Sequence, residues 1–338
     1  MKTRRHANIP IFIPHLGCPN QCVFCNQRHI SGVKSFAAEE VIPSIENALK
    51  TISAGTEVEI AFFGGSFTGI DRRLMLNLLE IAGKYVVDGR VSAIRCSTRP
   101  DYIDEEVLYI LKRYGVKTIE LGLQTTSDAV LERCKRGHAF SHEVEACRMI
   151  VDSGLSLVGQ MMIGLPGATQ ESELATAEFI AASGAVGARI YPTVVFHDTE
   201  LCEMAMSGEY LPLSIEEAVE RSVGPLMLFA DRGIEVIRIG LCASENLSDA
   251  GSYYAGPNHP ALGEMIMSRV MYHKAAELLR GIECRGKIVF MTVPRGSISK
   301  AIGQKKENKL RLIREFGLAD IRFAESDSLA EYELKLEF

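Results

Sequence analysis

Short apolar runs alternate with amphipathic stretches along the first two thirds of the chain. From these runs we predict seven strands, at 8–14, 57–64, 91–98, 118–124, 155–164, 187–196 and 234–241. Several runs are apolar almost throughout, which is typical of parallel strands that are covered on both faces. The alternation of strands and helices therefore predicts a parallel α/β fold with right-handed crossovers.

The helical stretches between the strands carry local start and stop signals. Asp104 is placed to cap a helix that Gly115 ends, and Ser214 with Glu217 forms a capping-box pattern that opens another helix. The apolar face of the first helix consists of Val107, Leu108 and Leu111. These signals indicate where the predicted helices begin and end between the strands.

The candidate functional residues follow the predicted strands at their carboxyl ends. In order along the chain they are Cys18, Gly64–Gly65, Arg99, Gln124 and the turn 164–167. Open parallel sheets and partial barrels both bind ligands at this edge. The motifs therefore predict one common site, whereas the pattern alone leaves the open sheet and the partial barrel as alternatives.

The last quarter of the chain has a different pattern, which predicts a small separate α+β module. We expect a long amphipathic helix at 262–279, a strand at 287–294, helix at 297–316, and strands at 320–324 and 331–337. The expected parts are the parallel α/β domain at 1–245, a helical connection at 246–284 and the small basic module at 285–338.

Composition is that of an ordinary globular protein, with 47% hydrophobic and 24% charged residues. No apolar run reaches the ~18 residues that a membrane helix needs, so we expect no membrane partner. The net charge is −6, yet the segment 285–322 holds ten basic residues against three acidic ones. A basic module on an acidic body predicts an anionic partner at the C-terminal end.

Nine cysteines without an export signal favour a cytoplasmic protein with reduced thiols. Free cysteines are among the most buried residues, so we expect those outside the N-terminal cluster to be small core residues. They are Cys96, Cys134, Cys147, Cys202, Cys242 and Cys284.

Three cysteines lie within eight residues, at Cys18, Cys22 and Cys25. A closed structural zinc site takes four ligands, whereas three thiolates on a tight loop hold three corners of a cubane cluster and leave one iron open. The alternative is a zinc site that His15, His29 or a distant cysteine completes.

The cysteine spacing resembles that of radical S-adenosylmethionine (SAM) enzymes. The runs AFFGGSFTG, STRPDYID, IELGLQT, KRGH, MIGLPG and ARIYPTVVF resemble, in order, those of the radical-SAM domain of the Elongator catalytic subunit. The resemblance covers about residues 8–215 and implies a parallel partial (β/α)6-type barrel. The chain ends at Phe338, so we do not expect the acetyl-CoA-dependent chemistry of that subunit.

The resemblance implies two cofactors, a [4Fe–4S] cluster on Cys18, Cys22 and Cys25 and SAM on the open iron. One electron then cleaves SAM to methionine and a 5′-deoxyadenosyl radical, with the chemistry supplied by the cofactors. An external donor such as flavodoxin or ferredoxin is expected to supply the electron. The implied SAM contacts are Phe24, Gly64, Gly65, Ser66, Arg99, Gln124, Arg136, Gln160, Met162 and Gly164.

Some of these SAM contacts also have a purely structural interpretation. The glycine pair in AFFGGSFTG would then only turn the chain, Phe24 would be a core aromatic, Arg136 a surface charge, and Arg99 part of an ion pair. His138 and Tyr191 are the candidate catalytic residues near the substrate. A tyrosine relays a proton or a hydrogen atom, although a buried structural tyrosine is an equally good interpretation.

The stretch from Arg295 to Phe323 resembles the core of KH RNA-binding domains. In those domains a GxxG loop between two helices clamps the nucleotide backbone. Gly303 supplies the first glycine and the closing glycine is missing, while Lys305, Lys306 and Lys309 are placed to contact phosphates. The alternative is a solvated basic helix face or a dimer contact.

The combined motifs predict a radical SAM enzyme that modifies an RNA, either tRNA or rRNA. A second hypothesis is a radical SAM enzyme acting on a small molecule such as a porphyrinogen. A third is a non-catalytic RNA-binding protein with a structural zinc site. The modified nucleotide, the group transferred and the oligomeric state do not follow from the sequence.

Overall fold

The structure is a computed structural model, which describes residues 5–13, 16–18, 22–26, 36–241, 251 and 253–337. Its central sheet is built from strands β1 (His6–Phe12), β2 (Glu57–Phe63), β3 (Ala93–Thr98), β4 (Val116–Gln124), β5 (Ser156–Ile163), β6 (Gly187–Pro192) and β8 (Glu235–Ile239). A short strand β7 (Val195–Phe196) pairs antiparallel with β9 (Tyr253–Ala255).

The seven long strands are all parallel and lie in the order β1-β2-β3-β4-β5-β6-β8. They curl into a half-barrel, as the resemblance implies. All seven predicted strands are present, with ends shifted by a few residues. The predicted strand 187–196 is divided because Pro192, which has no N–H to donate, ends β6.

Most helices between the strands cover the outer face of the half-barrel, whereas the two short helices at 128–133 and 200–207 contribute to a separate small apolar cluster. In chain order the helices are α1 (Val41–Thr51), α2 (Arg72–Val87), α3 (Glu105–Arg113), α4 (Asp128–Arg133), α5 (Phe140–Asp152), α6 (Gln170–Ala182), α7 (Glu200–Ser207) and α8 (Ile215–Asp231). Fully buried strand residues such as Ile60, Phe62, Ile94 and Ile119 pack against them. The main apolar core therefore lies outside the sheet, which leaves the inner face available for polar residues.

The predicted helix caps are present. The Asp104 carboxylate accepts a hydrogen bond from the Val107 amide at 2.7 Å, and α3 begins at the next residue. The Ser214 hydroxyl accepts from the Glu217 amide at 3.2 Å, while the Glu217 carboxylate accepts from the Ser214 amide at 2.8 Å. Both helices therefore start where their sequence signals predict.

The C-terminal part consists of a long helix and a small three-stranded sheet. Its elements are α9 (Leu262–Leu279), β10 (Ile288–Pro294), α10 (Ile298–Ile302), α11 (Glu307–Phe316), β11 (Asp320–Ser326) and β12 (Lys335–Glu337). The sheet order is β11-β10-β12, with β10 parallel to β11 and antiparallel to β12. The predicted helix 297–316 is interrupted at Gly303, and the predicted strand 331–337 shortens to β12.

Helix α9 joins the small sheet to the half-barrel. On one side the Arg269 guanidinium bonds the carboxylates of Glu216 and Glu220 on α8, at 2.7 and 2.5 Å. On the other side the Arg311 guanidinium lies 4.1 Å from the centre of the Tyr272 ring. The division at 245 and 284 stays a prediction. Within the described ranges, no helix is long and apolar enough to cross a membrane.

Candidate functional site

The three clustered cysteines follow β1 at the carboxyl edge of the sheet. Cys22 is buried, whereas Cys18 and Cys25 are partly exposed. The first part of their loop packs on the turn after β2, and the Ser66 amide donates to the Leu16 carbonyl at 3.3 Å. His15 and His29, the two histidines of the zinc alternative, lie outside the described residues.

The second part of the cysteine loop is held from the opposite side. The Val23 amide donates to the Cys134 carbonyl at 3.2 Å, and the Leu201 amide donates to the Val23 carbonyl at 2.8 Å. Phe24 is buried in a small apolar cluster around this contact, separate from the main core. The loop is thereby fixed between the turn after β2 and the start of α7.

Two buried arginines lie against the Cys22 thiol. Arg136 Nη1 is 3.4 Å from Cys22 Sγ, and Arg99 Nη1 is 3.9 Å from it. Nε and Nη2 of Arg99 each donate to the Asp101 carboxylate at 2.9 Å, and Nη2 also donates to the Arg136 carbonyl. Burial raises the pKa of the neighbouring Cys18 thiol, while Arg99 and Arg136 act in the opposite direction. Such cations stabilise thiolates, which are the form that binds metal.

Gln124 ends β4 in a conformation that is unusual for a residue with a side chain. Its φ is +72°, at a point where the register between β4 and β5 shifts. Its Oε1 atom and the Nε atom of Arg136 are buried without a hydrogen-bond partner in the described structure. A buried polar atom without a partner is costly, so both atoms point to a ligand that completes the site.

These residues suit an iron–sulfur cluster and SAM. Three thiols share one loop, two cations neutralise them, and unpartnered polar atoms lie at the adjacent strand end. Among the described residues, no three His, Cys, Asp or Glu side chains converge on the position of a single metal ion. A cluster is compatible with this spacing, because each thiolate binds a separate iron.

The other predicted SAM contacts are distributed along the same edge. The Ser66 hydroxyl is fully buried and bonds the Thr98 hydroxyl at 2.8 Å, so it is already engaged within the protein. The Gly164 amide donates to the Glu173 carboxylate at 2.6 Å, and the Tyr210 hydroxyl donates to the Gly164 carbonyl at 2.7 Å. Glu173 and Tyr210, which sequence reasoning missed, hold the turn after β5 in place.

The two candidate catalytic residues lie in different surroundings. Tyr191 faces the inner side of the half-barrel next to Met162, its partner across β5 and β6. His138 is buried behind Arg99, with Nδ1 at 3.3 Å from Arg99 Nη2 and Nε2 at 3.2 Å from Glu143 Oε1. The structure therefore places Tyr191 toward the lumen and His138 behind a residue of the cluster site.

A buried ion network crosses the inner face of the half-barrel below this edge. Arg95 donates to Glu59 Oε2 at 2.7 Å and to Glu120 Oε1 at 2.9 Å, and Arg189 Nη2 donates to the same Glu120 oxygen at 2.9 Å. The amide of Gln160 donates to Glu120 Oε2 at 3.0 Å. Sequence reasoning missed this network, although single charges inside otherwise apolar strands were a usable signal.

The contact between Glu143 and His138 leads to a prediction about pH. Burial raises the pKa of Glu143 to about 9, so the folded protein keeps a proton that the unfolded chain releases. This group therefore costs stability progressively as the pH rises toward 9. Burial, with Arg136 nearby, lowers the pKa of His138 to about 4, so its own effect lies at lower pH.

We expect Glu143→Gln to stabilise the protein, by more at about pH 9 than at about pH 7, because glutamine resembles the protonated acid. Urea unfolding of the anaerobic protein at both values measures this difference. A variant that is less stable than the wild type at the higher pH would contradict the prediction.

Five of the six other cysteines are buried, in agreement with the structural interpretation; Cys242 lies outside the described residues. Three of the residues predicted to bind RNA lie between α10 and α11, and the fourth, Lys309, lies in the first turn of α11. Gly303 has φ +78°, and Lys305 and Lys306 follow with φ +49° and +65°, both exposed. Lys309 Nζ is 2.8 Å from the Asp320 carboxylate, so its charge is partly neutralised.

Comparison with known protein families gives two family matches, which follow one another along the chain. The radical SAM superfamily matches residues 12–180, and the radical SAM C-terminal domain matches residues 185–272. A tRNA uridine(34) acetyltransferase of Methanocaldococcus jannaschii is 32% identical over 196 residues, which is 52% of this chain and 36% of that protein. Elongator complex protein 3 of Homo sapiens is 33% identical over 130 residues, covering 38% and 24%.

The chain therefore spans little more than a third of the length of the first relative. Among solved structures, the Elp3 of Methanocaldococcus infernus with an N-terminal deletion superimposes with a TM-score of 0.63 at 22% identity. The match covers 80% of this chain and 64% of the other, and at this identity it shows a shared fold.

Proposed function

The chain belongs to the radical SAM superfamily, and from this premise we propose that it is an enzyme that modifies tRNA or rRNA. Its cofactors are those of the superfamily, a [4Fe–4S] cluster and SAM. When bound, they supply radical chemistry by one-electron reductive cleavage of SAM. The rest of the proposal concerns what the residues of this chain contribute.

In the proposed site Cys18, Cys22 and Cys25 hold the cluster, with Arg99 and Arg136 balancing its negative charge. Gln124 and Arg136 offer their unpartnered Oε1 and Nε atoms to SAM, since one accepts and the other donates a hydrogen bond. The other two nitrogens of Arg136 are engaged, Nη1 with the Cys22 sulfur and Nη2 with the Gly122 carbonyl at 2.5 Å, so Nε is the nitrogen that it offers to the carboxylate of SAM. His138 keeps Arg99 in place from behind.

The lumen of the half-barrel suits an uncharged planar group on the substrate. The charges of Glu59, Arg95, Glu120 and Arg189 are paired with one another on the inner face. The Arg189 guanidinium also lies over the Phe63 ring, 5.5 Å from its centre. A wall of paired ions and an aromatic ring suits a nucleobase better than a ring that carries several carboxylates, because the carboxylates would need cations of their own.

The observation that carries the RNA proposal is the connection between α10 and α11. It joins two helices in a β10-α10-α11-β11 unit, and the loop that we expect to be KH-like falls on this connection. Lys306 stands at the position of the second glycine and adopts a left-handed conformation, so the backbone takes a shape that usually requires glycine. Two adjacent exposed lysines on such a turn are suited to phosphates.

We expect the double variant Lys305→Ala, Lys306→Ala to bind RNA more weakly, with a salt dependence reduced by about two units of slope. Filter binding of total tRNA at several salt concentrations measures both quantities. The matched control is Lys335→Ala on β12, an exposed lysine at the other side of the small sheet. If the double variant and the wild type had the same RNA affinity and the same salt dependence, this turn would no longer support the RNA proposal.

The direct test of function is mass spectrometry of RNA nucleosides from a deletion strain and from the wild type. Loss of one modified nucleoside, restored by the wild-type gene and not by Cys22→Ala, supports the proposal. An unchanged nucleoside profile, together with SAM cleavage that a small metabolite stimulates and RNA does not, favours a small-molecule substrate. We further propose that flavodoxin or ferredoxin supplies the electron and that the enzyme works in the cytoplasm, where its thiols stay reduced.

A further inference from the structure

We infer that the turn 64–69 is the docking surface of the cysteine loop, and that Gly17 and Gly65 are positioning residues for the cluster. The inference rests on the proposed role of the cysteines as cluster ligands. It gives Gly65, the second glycine of AFFGGSFTG, a task that precedes SAM binding. A bare backbone usually indicates close approach of a ligand, but here the space is occupied by the protein itself.

Gly17 immediately precedes the first cysteine and faces the end of this turn. Its φ is +75°, a region that side chains rarely adopt. A β-carbon at Gly17 would lie 2.6 Å from the amide nitrogen of Ile70, and closer still to the carbonyl oxygen of Ser66. Both are backbone atoms, which cannot move aside as a flexible side chain can. The position therefore excludes a side chain for two independent reasons.

Gly65 faces the same loop from the other side. A β-carbon there would lie 3.0 Å from the carbonyl oxygen of Ile13, and closer still to that of Leu16. The Leu16 carbonyl accepts a hydrogen bond from the Ser66 amide, and the Ser66 backbone also bonds the Cys18 thiol. Gly65 has no positive φ, so close approach alone accounts for its identity.

Together these contacts fix the backbone immediately before Cys18. The backbone of Leu16 and Gly17 contacts the turn directly. This backbone packing sets the position of Cys18, the next residue. Cys22 and Cys25 are held separately, through Val23 on the Cys134 carbonyl. Lifting Leu16 and Gly17 from the turn would move one thiol relative to the other two, and a cubane cluster needs all three at once.

The experiment compares glycines that face the loop with glycines that face open space. Gly17→Ala is matched by Gly55→Ala. Gly55 also has a positive φ, +80°, but a β-carbon there would have no described atom within 4 Å. Gly65→Ala is matched by Gly251→Ala, whose β-carbon also meets nothing and whose φ is not positive. Iron retained against a chelator is measured after anaerobic reconstitution, together with SAM affinity.

We expect both loop-facing variants to retain iron about 10- to 100-fold more weakly than their controls, as is typical when groups that orient metal ligands are lost. In the iron-free protein we expect the Cys18 thiol of these variants to react faster with an alkylating reagent, as quantified by peptide mass spectrometry. Normal iron retention with weakened SAM affinity in Gly65→Ala would overturn the inference, since the glycine would then serve SAM alone. Unchanged Cys18 reactivity in both variants would overturn it as well.

The alkylation rate separates this inference from the proposed function. If the wild-type protein held no cluster, the proposed function would fail, while the reactivity of Cys18 would still report whether the loop leaves the turn. A variant that unfolds is recognised by its circular dichroism. If Gly17→Ala unfolds, Gly65→Ala and its control carry the comparison, because Gly65 has no positive φ and alanine there strains no backbone dihedral.

Discussion

Cys22→Ala is expected to give a colourless protein that retains no stable cluster and cleaves no SAM. Cys22 is the buried member of the three clustered cysteines, with the Arg136 guanidinium 3.4 Å from its sulfur. Removing this thiol leaves two cysteine ligands for a cluster that needs three from the protein. It also leaves a buried guanidinium facing an empty position.

The measurements are iron content, visible absorbance and 5′-deoxyadenosine release under anaerobic reducing conditions. The wild type is expected to hold about four irons per chain. Cys147→Ala is the matched control, because it removes a buried thiol from α5, far along the chain from the cluster loop. A Cys22→Ala protein that keeps its iron and its colour would show that another ligand set holds the metal, and the proposed function would fail with it.

The second large effect is expected for Glu120→Gln, which removes the central charge of the inner-face network. The Glu120 side chain is fully buried and accepts hydrogen bonds from Arg95, Arg189 and Gln160. The substitution leaves the buried Arg189 guanidinium without its carboxylate partner, while Arg95 keeps Glu59 alone. Breaking a buried pair by removing one partner typically costs about 3–5 kcal/mol, because the remaining charge cannot recover its hydration.

Urea unfolding of the iron-free protein measures this cost without interference from the cluster. The matched control is Glu80→Gln, the same chemical change in an exposed pair with Lys84 on α2, at 3.4 Å. Exposed helix pairs of this kind contribute about 0.3–0.5 kcal/mol. Similar losses in the two variants would mean that water reaches the inner face and that the network does not depend on burial.

Glu120→Gln also has a consequence for the site above it. Glu120 accepts a hydrogen bond from the amide nitrogen of Gln160, a predicted SAM contact, and so imposes the orientation of that amide. With glutamine at 120 the amide orientation is no longer imposed, since glutamine both donates and accepts. SAM or substrate affinity should therefore fall in addition to stability.

Local chemistry was predictable from the sequence alone, as two examples show. The cap of α3 at Asp104 and the capping box at Ser214 and Glu217 depend on residues within one helical turn. The seven strands were predictable because strands covered by helices must be apolar on their outer side. The cysteine spacing pointed to the chemistry for the same reason, since three thiols on one short loop remain neighbours in any fold.

Contacts between distant segments needed the tertiary structure. Glu59, Arg95, Glu120 and Arg189 come from four strands, and only the order of the parallel sheet brings them to one inner face. A single charge in an apolar strand shows that a partner must exist, but it does not show which one.

The glycine pair shows the same division between local and distant information. The sequence determined that a bare backbone stands at Gly64 and Gly65, and left open what approaches it. The fold decided that the backbone of Ile13 and Leu16 lies there, because β1 and β2 are neighbours and their carboxyl ends meet at one edge. Spacing along the chain thus specified the ligands, and packing between neighbouring strands specified where the first of them is held.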